Sequence, residues 1–193
     1  AGDWRVDTYK THDNLGLWLD KSSLQYFGST AAPSILSFYP ALGVKRDVRS
    51  EPDISNYALR GLLSVKYLIT TPEKQEDFLA AADDGWSYYD TKDGFMLYEN
   101  GNYVPMGFTY DYYITEESYE TTVKNTRANL LMRALVLSEE DAETYGKYLE
   151  KLPDAKLDDL WYDTYVSDCA DRRASACSTF RMTNSGFHAE ITL

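Results

Sequence analysis

The sequence predicts an α/β fold of the α+β kind, in which helices pack in two or three layers on a mixed, partly antiparallel sheet. Three observations predict this class. The run VKYLIT at residues 65–70 is apolar, rich in β-branched side chains and closed by Pro72, as expected of a buried strand. The dipeptide Asp93-Gly94 joins two aromatic-rich segments, which favours a hairpin. From Thr115 onward, apolar residues recur every three to four positions, which is the helical period.

A length of 193 residues is sufficient for one domain with a sizeable core. We expect a single domain over residues 1–193, with a sheet-rich part at 1–115, a helical part at 116–177 and the start of a further strand region at 178–193. The abrupt ends AGDWRVD and FHAEITL indicate a piece of a longer protein.

The first fifty residues predict one strand and several short helices. The strand is WRVD, at residues 4–7, and the segment 14–29 mixes helical apolar spacing with Gly and Ser. We therefore expect short helices within a long connection there. Pro33 suits the first position of a further helix that closes at Gly43, and Pro40 should kink it.

The middle of the chain predicts an antiparallel meander. Asp53 is expected to cap a helix whose apolar face consists of Ile54, Tyr57, Ala58, Leu62 and Leu63. A short helix over residues 73–82 follows the strand 65–70. Three further strands are predicted at residues 86–91, 94–100 and 107–115. Asp93-Gly94 and Asn100-Gly101 lie at their two junctions, where both dipeptides favour tight turns.

The last third predicts helices followed by a hairpin. One amphipathic helix is indicated by Val123, Arg127, Leu130, Leu131, Ala134 and Leu135. Ser138 and Asp141 resemble a capping box that opens a second helix, which should continue to Leu152. A further helix is expected within residues 157–180, and a strand hairpin around residues 184–186.

The charge balance excludes some classes of partner. The chain has 19 basic and 31 acidic residues, a formal net charge of −12. Such a protein repels phosphate backbones, so nucleic-acid binding is disfavoured, and direct recognition of a polyphosphate polymer is disfavoured too. A neutral glycan, or an anionic polymer bridged to the chain by a cation, would be repelled less. No apolar run approaches the roughly 20 residues that span a bilayer.

Signatures of catalysis and cofactor binding are missing from the sequence. The two histidines, His12 and His188, lie at opposite ends, and no zinc, nucleophile-elbow or phosphate-loop motif is present. The adjacent acidic pairs are better explained as charges at helix N-termini than as facing catalytic carboxylates. Cys169 and Cys177 would be roughly 12 Å apart along a helix, too far for a disulfide, so we expect two free or buried thiols. We predict no metal, no cofactor and no catalytic residue.

The densest mixture of aromatic and polar residues lies near the N-terminus. The 17 tyrosines and 4 tryptophans of the chain suit contact with sugars or proteins, although tyrosine also suits ordinary strands. The candidate contact residues for a glycan or protein partner are Asn14, Trp18, Asp20, Tyr26, Ser29, Tyr39 and Arg46. The alternative is a structural loop over the sheet, with Trp18 and Tyr39 in the core.

The order of several short phrases resembles the extracytoplasmic part of the YfhO-type bacterial membrane proteins. The matching phrases cover nearly the whole chain and carry weight through their shared order. They are Arg5-Val6-Asp7, Asn14, Tyr26 to Ser29, Phe38-Tyr39 with Gly43, Lys66-Tyr67-Leu68-Ile69, Tyr98-Glu99-Asn100, Pro105 and Gly107-Phe108.

The resemblance implies a soluble outer domain of a multi-spanning, glycosyltransferase-like protein that uses polyprenyl-phosphate sugars to glycosylate cell-wall polymers such as lipoteichoic acid. It implies that the fragment lies on the extracytoplasmic face of the bacterial membrane and positions an acceptor there. No catalytic residue of the family can be matched to this sequence. The expected partners are the protein's own transmembrane region and a cell-wall glycan or lipid-linked sugar. The alternatives are a structural or protein-interaction module that braces the membrane part, and an independent hydrolase with a carboxylate pair.

Overall fold

A computed structural model describes residues 4–183 and 185–192, and the chain divides into two compact units, Trp4–Tyr103 and Val104–Leu193. Each unit has its own sheet and its own hydrophobic core. The mixed α/β class predicted from the sequence is confirmed. The expectation of a single domain stays a prediction.

The first unit contains six strands and four α-helices among its described residues. In chain order they are β1 (Arg5–Thr8), α1 (Leu15–Trp18), β2 (Tyr26–Phe27), α2 (Pro33–Ala41), β3 (Arg49–Ser50), α3 (Tyr57–Leu62), β4 (Val65–Thr70), α4 (Gln75–Ala81), β5 (Trp86–Lys92) and β6 (Phe95–Asn100). The main sheet has the order β1-β4-β6-β5, and β2 pairs with β3 in a small separate ribbon.

The main sheet is mixed because β1 runs parallel to β4, whereas β4, β6 and β5 alternate in direction. A parallel pair needs a long crossover connection, and here α1, the small ribbon, α2 and α3 all lie within it. The β5–β6 hairpin closes at Asp93 and Gly94, whose φ angles of 52° and 81° give the turn predicted for this dipeptide.

Aromatic side chains dominate the core of the first unit. Leu68 and Tyr98 are paired across β4 and β6, and they pack with Ile54 and Phe78. The Phe78 and Tyr98 rings meet edge to face with centroids 4.9 Å apart. Gln75 donates a 2.7 Å hydrogen bond to the Tyr98 hydroxyl, so the polar end of this buried ring has a partner.

A buried ion pair joins β1 to α3. The Arg60 guanidinium lies 2.9 Å from the Asp7 carboxylate through Nη2 and 3.0 Å through Nε, and both residues are inaccessible to water. Burial raises the pKa of the Asp7 carboxyl, and the positive charge of Arg60 opposes that shift. Arg60 also donates to the carbonyls of Pro52, Asp53 and Asn56, so it fastens the segment before α3 to the sheet.

The second unit is built around a parallel sheet. Its elements are β7 (Tyr112–Thr115), α5 (Glu116–Thr121), α6 (Arg127–Arg133), β8 (Ala134–Leu137), α7 (Glu139–Tyr145), β9 (Glu150–Lys151), α8 (Tyr162–Ala174), β10 (Thr179–Thr183) and β11 (Gly186–Glu190). The order is β8-β7-β9, and β10 and β11 form the hairpin expected at this end of the chain. Asn184, at its predicted centre, lies outside the described residues.

Buried charge also holds the second unit together. The core consists of Ile114, Leu130, Ala134 and Leu152. Beside it, Arg133 at the end of α6 makes a two-pronged contact with Asp168 on α8, with Nε and Nη2 3.1 Å and 3.0 Å from Oδ2. Burial raises the pKa of Asp168 and the hydrogen bond from Arg133 opposes this. Cys169 is buried, Cys177 is half-buried, and the two are not joined by a disulfide, as expected.

Two predictions about the meander are wrong. The segment 107–115 does not extend it, because only Tyr112–Thr115 is a strand and it pairs in the second unit. Asn100-Gly101 does not close a hairpin. Instead, the Asn100 side chain donates to the Val65 carbonyl at 2.9 Å, and Gly101 N–H bonds to Gly85.

Helix boundaries also differ from the predictions. The first predicted helix of the last third ends at Arg133, and its apolar tail forms β8; the second ends at Tyr145, although Ser138 does cap it by accepting from Asp141 N–H at 3.1 Å. Asp53 caps no helix, because it lies four positions before α3 starts and its carboxylate accepts from Ser55 N–H. Pro40 lies inside α2, one residue before its end.

Candidate functional site

The candidate site is a cavity of about 320 Å³ in the first unit. It lies among α1, α2 and the β2–β3 ribbon, and it is lined by segments from residues 14 to 50. The volume is at the lower end of the roughly 300–1,000 Å³ range of ligand pockets. A cavity of this size suits one small polar ring rather than a long chain.

Asn14 fixes one wall of the cavity. Its backbone is left-handed, with φ 59°, a conformation that asparagine tolerates better than most residues. Its side-chain amide donates to the Phe27 carbonyl and accepts from the Phe27 N–H, both at 2.8 Å. The amide thus continues the backbone pairing of β2 and ties α1 to it.

Tyr39 lies at the buried side of the cavity. Its hydroxyl donates to the Leu24 carbonyl at 3.2 Å, and the Ser50 hydroxyl donates to the same carbonyl at 2.9 Å. Burial raises the pKa of Tyr39 to about 12, and the negative charge of Asp7 adds to the shift. The phenol is therefore a neutral, structural part of the cavity at physiological pH.

Tyr26 and Arg46 form the opposite side. The Arg46 guanidinium lies 5.8 Å from the centre of the Tyr26 ring, within cation–π range, and donates to the carbonyls of Gly28 and Asp47. Gly28 allows the ring to approach, because a Cβ there would lie 2.6 Å from the Tyr26 hydroxyl. Within the described chain that hydroxyl makes no hydrogen bond, so it can serve a ligand.

The cavity wall is positive although the protein is acidic. Lys21 and Arg46 line it, and the described lining contains no carboxylate. The Lys21 ammonium is 4.4 Å from the centre of the Trp4 ring, which does not line this cavity. An anionic group entering here would meet the Arg46 side chain and, within the described lining, no opposing acid.

The structure brings together four of the seven predicted contact residues. Asn14, Tyr26, Tyr39 and Arg46 line the cavity. Trp18, Asp20 and Ser29 are exposed and do not line it. Tyr39 is in the core, as the structural alternative expected, but Trp18 is 86 % exposed and is not. The role of all seven residues in ligand contact stays a prediction.

The sequence reasoning missed a second cavity, of about 650 Å³, on the main sheet. Trp4, Tyr67 and Tyr89 line it, with ring centroids 5.2 Å and 5.3 Å apart along the series. Leu15 and Leu19 border it from α1. Strand alternation could have found it, since Tyr67 and Ile69 necessarily share one face of β4.

The described residues contain neither a metal-binding cluster nor a helix fit to span a membrane. Within residues 4–183 and 185–192, no group of three or more His, Cys, Asp or Glu side chains is placed to hold a metal ion. Over the same residues, no helix combines the length and apolar character needed to cross a bilayer. The two buried carboxylates, Asp7 and Asp168, are each bound to an arginine rather than open to a substrate.

Comparison with known families identifies the chain. The family model described as bacterial membrane protein YfhO matches residues 3–182. The chain belongs to the YfhO family. Neither the curated proteins nor the solved structures gave a match. The two-unit fold and the cavity between α1 and α2 are thus features of a YfhO family protein, and the resemblance to that family is confirmed.

Proposed function

We propose that the first unit of this YfhO family protein positions a cell-wall glycan acceptor. In this proposal the protein is a glycosyltransferase that takes sugars from a polyprenyl-phosphate lipid. The unit lies on the extracytoplasmic face and has no catalytic residue of its own, and lipoteichoic acid is the acceptor.

One observation supports the proposal most strongly: four residues selected from the sequence for sugar contact line one cavity. Tyr26 offers a ring face and a hydroxyl, the combination that sugar sites use for stacking and for orientation. The serines and Thr30 add short polar groups around it. The cavity is small enough to enclose one sugar unit of a longer polymer.

The charge of the cavity favours an anionic acceptor. Lipoteichoic acid carries phosphate, which the chain as a whole would repel at a net charge of −12. The lining of the cavity contains Lys21 and Arg46 and, among its described residues, no carboxylate. An arginine near a sugar-phosphate junction can pair with phosphate oxygens while the ring packs on Tyr26.

The test is ligand-detected NMR on the chain with two probes, a glycerol-phosphate oligomer and an N-acetylglucosamine oligosaccharide. We expect saturation transfer to at least one probe, and Tyr26→Leu should weaken it about 3- to 10-fold, the usual worth of an aromatic contact. Tyr88→Leu is the matched control, because Tyr88 is exposed in the same unit and lines neither cavity.

A second candidate function is a structural or protein-interaction module that braces the membrane part. The exposed apolar side chains of α1 and α2 favour it, because such groups commonly mark contact surfaces. Absence of transfer to either probe, or equal weakening by Tyr26→Leu and Tyr88→Leu, would reject glycan positioning and leave this module.

A further inference from the structure

Large apolar side chains are concentrated on the exposed side of residues 14–50. Of nineteen such exposed side chains in the described part of the chain, eight lie here. We call them the apolar surface: Leu17, Trp18, Leu19, Tyr26, Phe27, Ile35, Leu36 and Val48. Trp18 is 86 % exposed and Leu17 is 65 % exposed, so water rather than protein surrounds both side chains.

A shared cavity and hydrogen bonds to the backbone bring several of these residues together. Leu17, Tyr26 and Ile35 line the same cavity, so α1, β2 and α2 meet there. Phe27 is held to the start of α1 by the Asn14 amide. Gly28 N–H bonds to the Val48 carbonyl at 2.8 Å, which brings the loop before β3 alongside.

The apolar surface coincides with the least acidic part of the chain. Residues 14–50 contain four basic and two acidic side chains, whereas the rest of the chain contains 15 basic and 29 acidic ones. Lys45 is 87 % exposed at the side chain and pairs with Asp47 at 3.0 Å, and Arg49 is about half exposed and pairs with Asp13 and Glu51. An anionic bilayer would therefore repel this surface less than it repels the rest of the protein.

We propose that the apolar surface rests on an anionic phospholipid bilayer, with Trp18 and Leu17 inserted among the headgroups. A tryptophan flanked by leucines and by nearby lysine and arginine is the combination that lies at membrane interfaces. The chain belongs to a family of bacterial membrane proteins, which favours a bilayer as the occupant of this surface. This inference does not depend on glycan binding, which is tested without lipid.

The experiment is co-sedimentation of the chain with two kinds of vesicle, one of pure phosphatidylcholine and one of equal parts phosphatidylcholine and phosphatidylglycerol. We expect partition to the anionic vesicles and a blue shift of the tryptophan emission. Trp18→Ser should lower the partition coefficient about 10- to 100-fold, the change that follows from withdrawing one large apolar side chain from the bilayer. Adding Lys45→Glu to that variant should lower the partition coefficient further, and the partition that is left should be less sensitive to salt.

Trp161→Ser is the matched control, because Trp161 is 75 % exposed but belongs to the second unit. It should leave partition unchanged. Thermal unfolding of each variant shows whether the fold is retained, as expected for side chains so exposed. The proposal is overturned if the unaltered chain stays in the supernatant with anionic vesicles, or if Trp18→Ser and Trp161→Ser have the same effect. Binding that is abolished by salt yet unaffected by Trp18→Ser would also overturn it, since insertion would then be absent.

Discussion

The Asp7–Arg60 ion pair allows a sharp test of what holds the first unit together. Both side chains are buried, with Nη2 and Oδ2 2.9 Å apart. Asp7→Asn preserves the volume and the hydrogen bond from Thr8 N–H but removes the negative charge, so the Arg60 guanidinium stays buried without a counter-charge. Breaking a buried pair in this way costs about 3–5 kcal/mol. That is a large share of the roughly 5–15 kcal/mol by which domains are stable.

Arg60→Met should cost at least as much, because three backbone carbonyls lose a donor as well. The double variant removes both charges, so its loss should be smaller than the sum of the single losses by about 1–3 kcal/mol. The free energies come from urea unfolding followed by circular dichroism and by fluorescence. The emission of Trp86 is informative, because its ring packs 6.0 Å from Phe78 in the same core.

Lys45→Ala is the matched control, because Lys45 and Asp47 are 3.0 Å apart yet both are largely exposed. Solvent screens such a pair, so the unfolding midpoint should not move measurably. If Asp7→Asn shifts the midpoint no more than Lys45→Ala does, the pair is not buried in solution. If the two single losses simply add in the double variant, Asp7 and Arg60 do not interact. Either result would mean that the buried Asp7–Arg60 pair does not stabilise the first unit.

Two further predictions concern the walls of the cavity and the buried phenols. Burial raises the pKa of Tyr39 and that of Tyr110 from 10.0 to about 12. The stabilisation from these neutral phenols is therefore complete below pH 10 and is lost as the pH rises to about 12. Ultraviolet titration of tyrosinate should show two late steps, and Tyr39→Phe should remove one; unchanged steps would contradict the burial. Asn14→Ala should lower the free energy of unfolding by about 1 kcal/mol more than Asn14→Gly does, as measured by urea unfolding. Both variants lose the hydrogen bonds to Phe27, but only alanine is strained at φ 59°. Equal losses would mean that the left-handed backbone carries no strain.

Strands with local signals were predictable from the sequence. The β5–β6 hairpin has a dipeptide that fits its turn, and β4 is a short apolar run closed by a proline. These features act over a few residues, so they are visible without the fold. The helix from Glu139 was predictable for the same reason, because the Ser138 side chain caps it locally.

Elements that depend on distant partners were not predictable. Ala134–Leu137 continues an apolar helical pattern, but it becomes a strand because Tyr112–Thr115 lies beside it. Leu152 fits the face of a helix, yet it is buried in the core after a strand of two residues. In both cases tertiary pairing overrides the local preference for a helix. A short apolar run alone does not show whether it will form a helix or a strand.

The candidate site divides in the same way. Asn14 and Tyr26 could be selected as polar and aromatic residues near each other in sequence, and the cavity contains both. Trp18 has the same kind of sequence neighbours, but it lies at the end of the four-residue helix α1 and its side chain is exposed outside the cavity. The ring series from Trp4 to Tyr89 was missed because its members come from three separated strands or strand edges.

Charge shows most clearly why local composition matters for this protein. A net charge of −12 argues against any anionic partner, and that argument holds for residues outside 14–50. It fails for the apolar surface and for the neighbouring cavity, whose described lining contains Lys21 and Arg46 but no carboxylate. Repulsion elsewhere then has an orienting effect, since an anionic bilayer or polymer meets the least acidic part of the chain at residues 14–50. Changing Lys45 and Arg49 to glutamate would make residues 14–50 acidic as well. If that variant loses both vesicle partition and binding of the phosphate glycan, the same local charge supports both interactions.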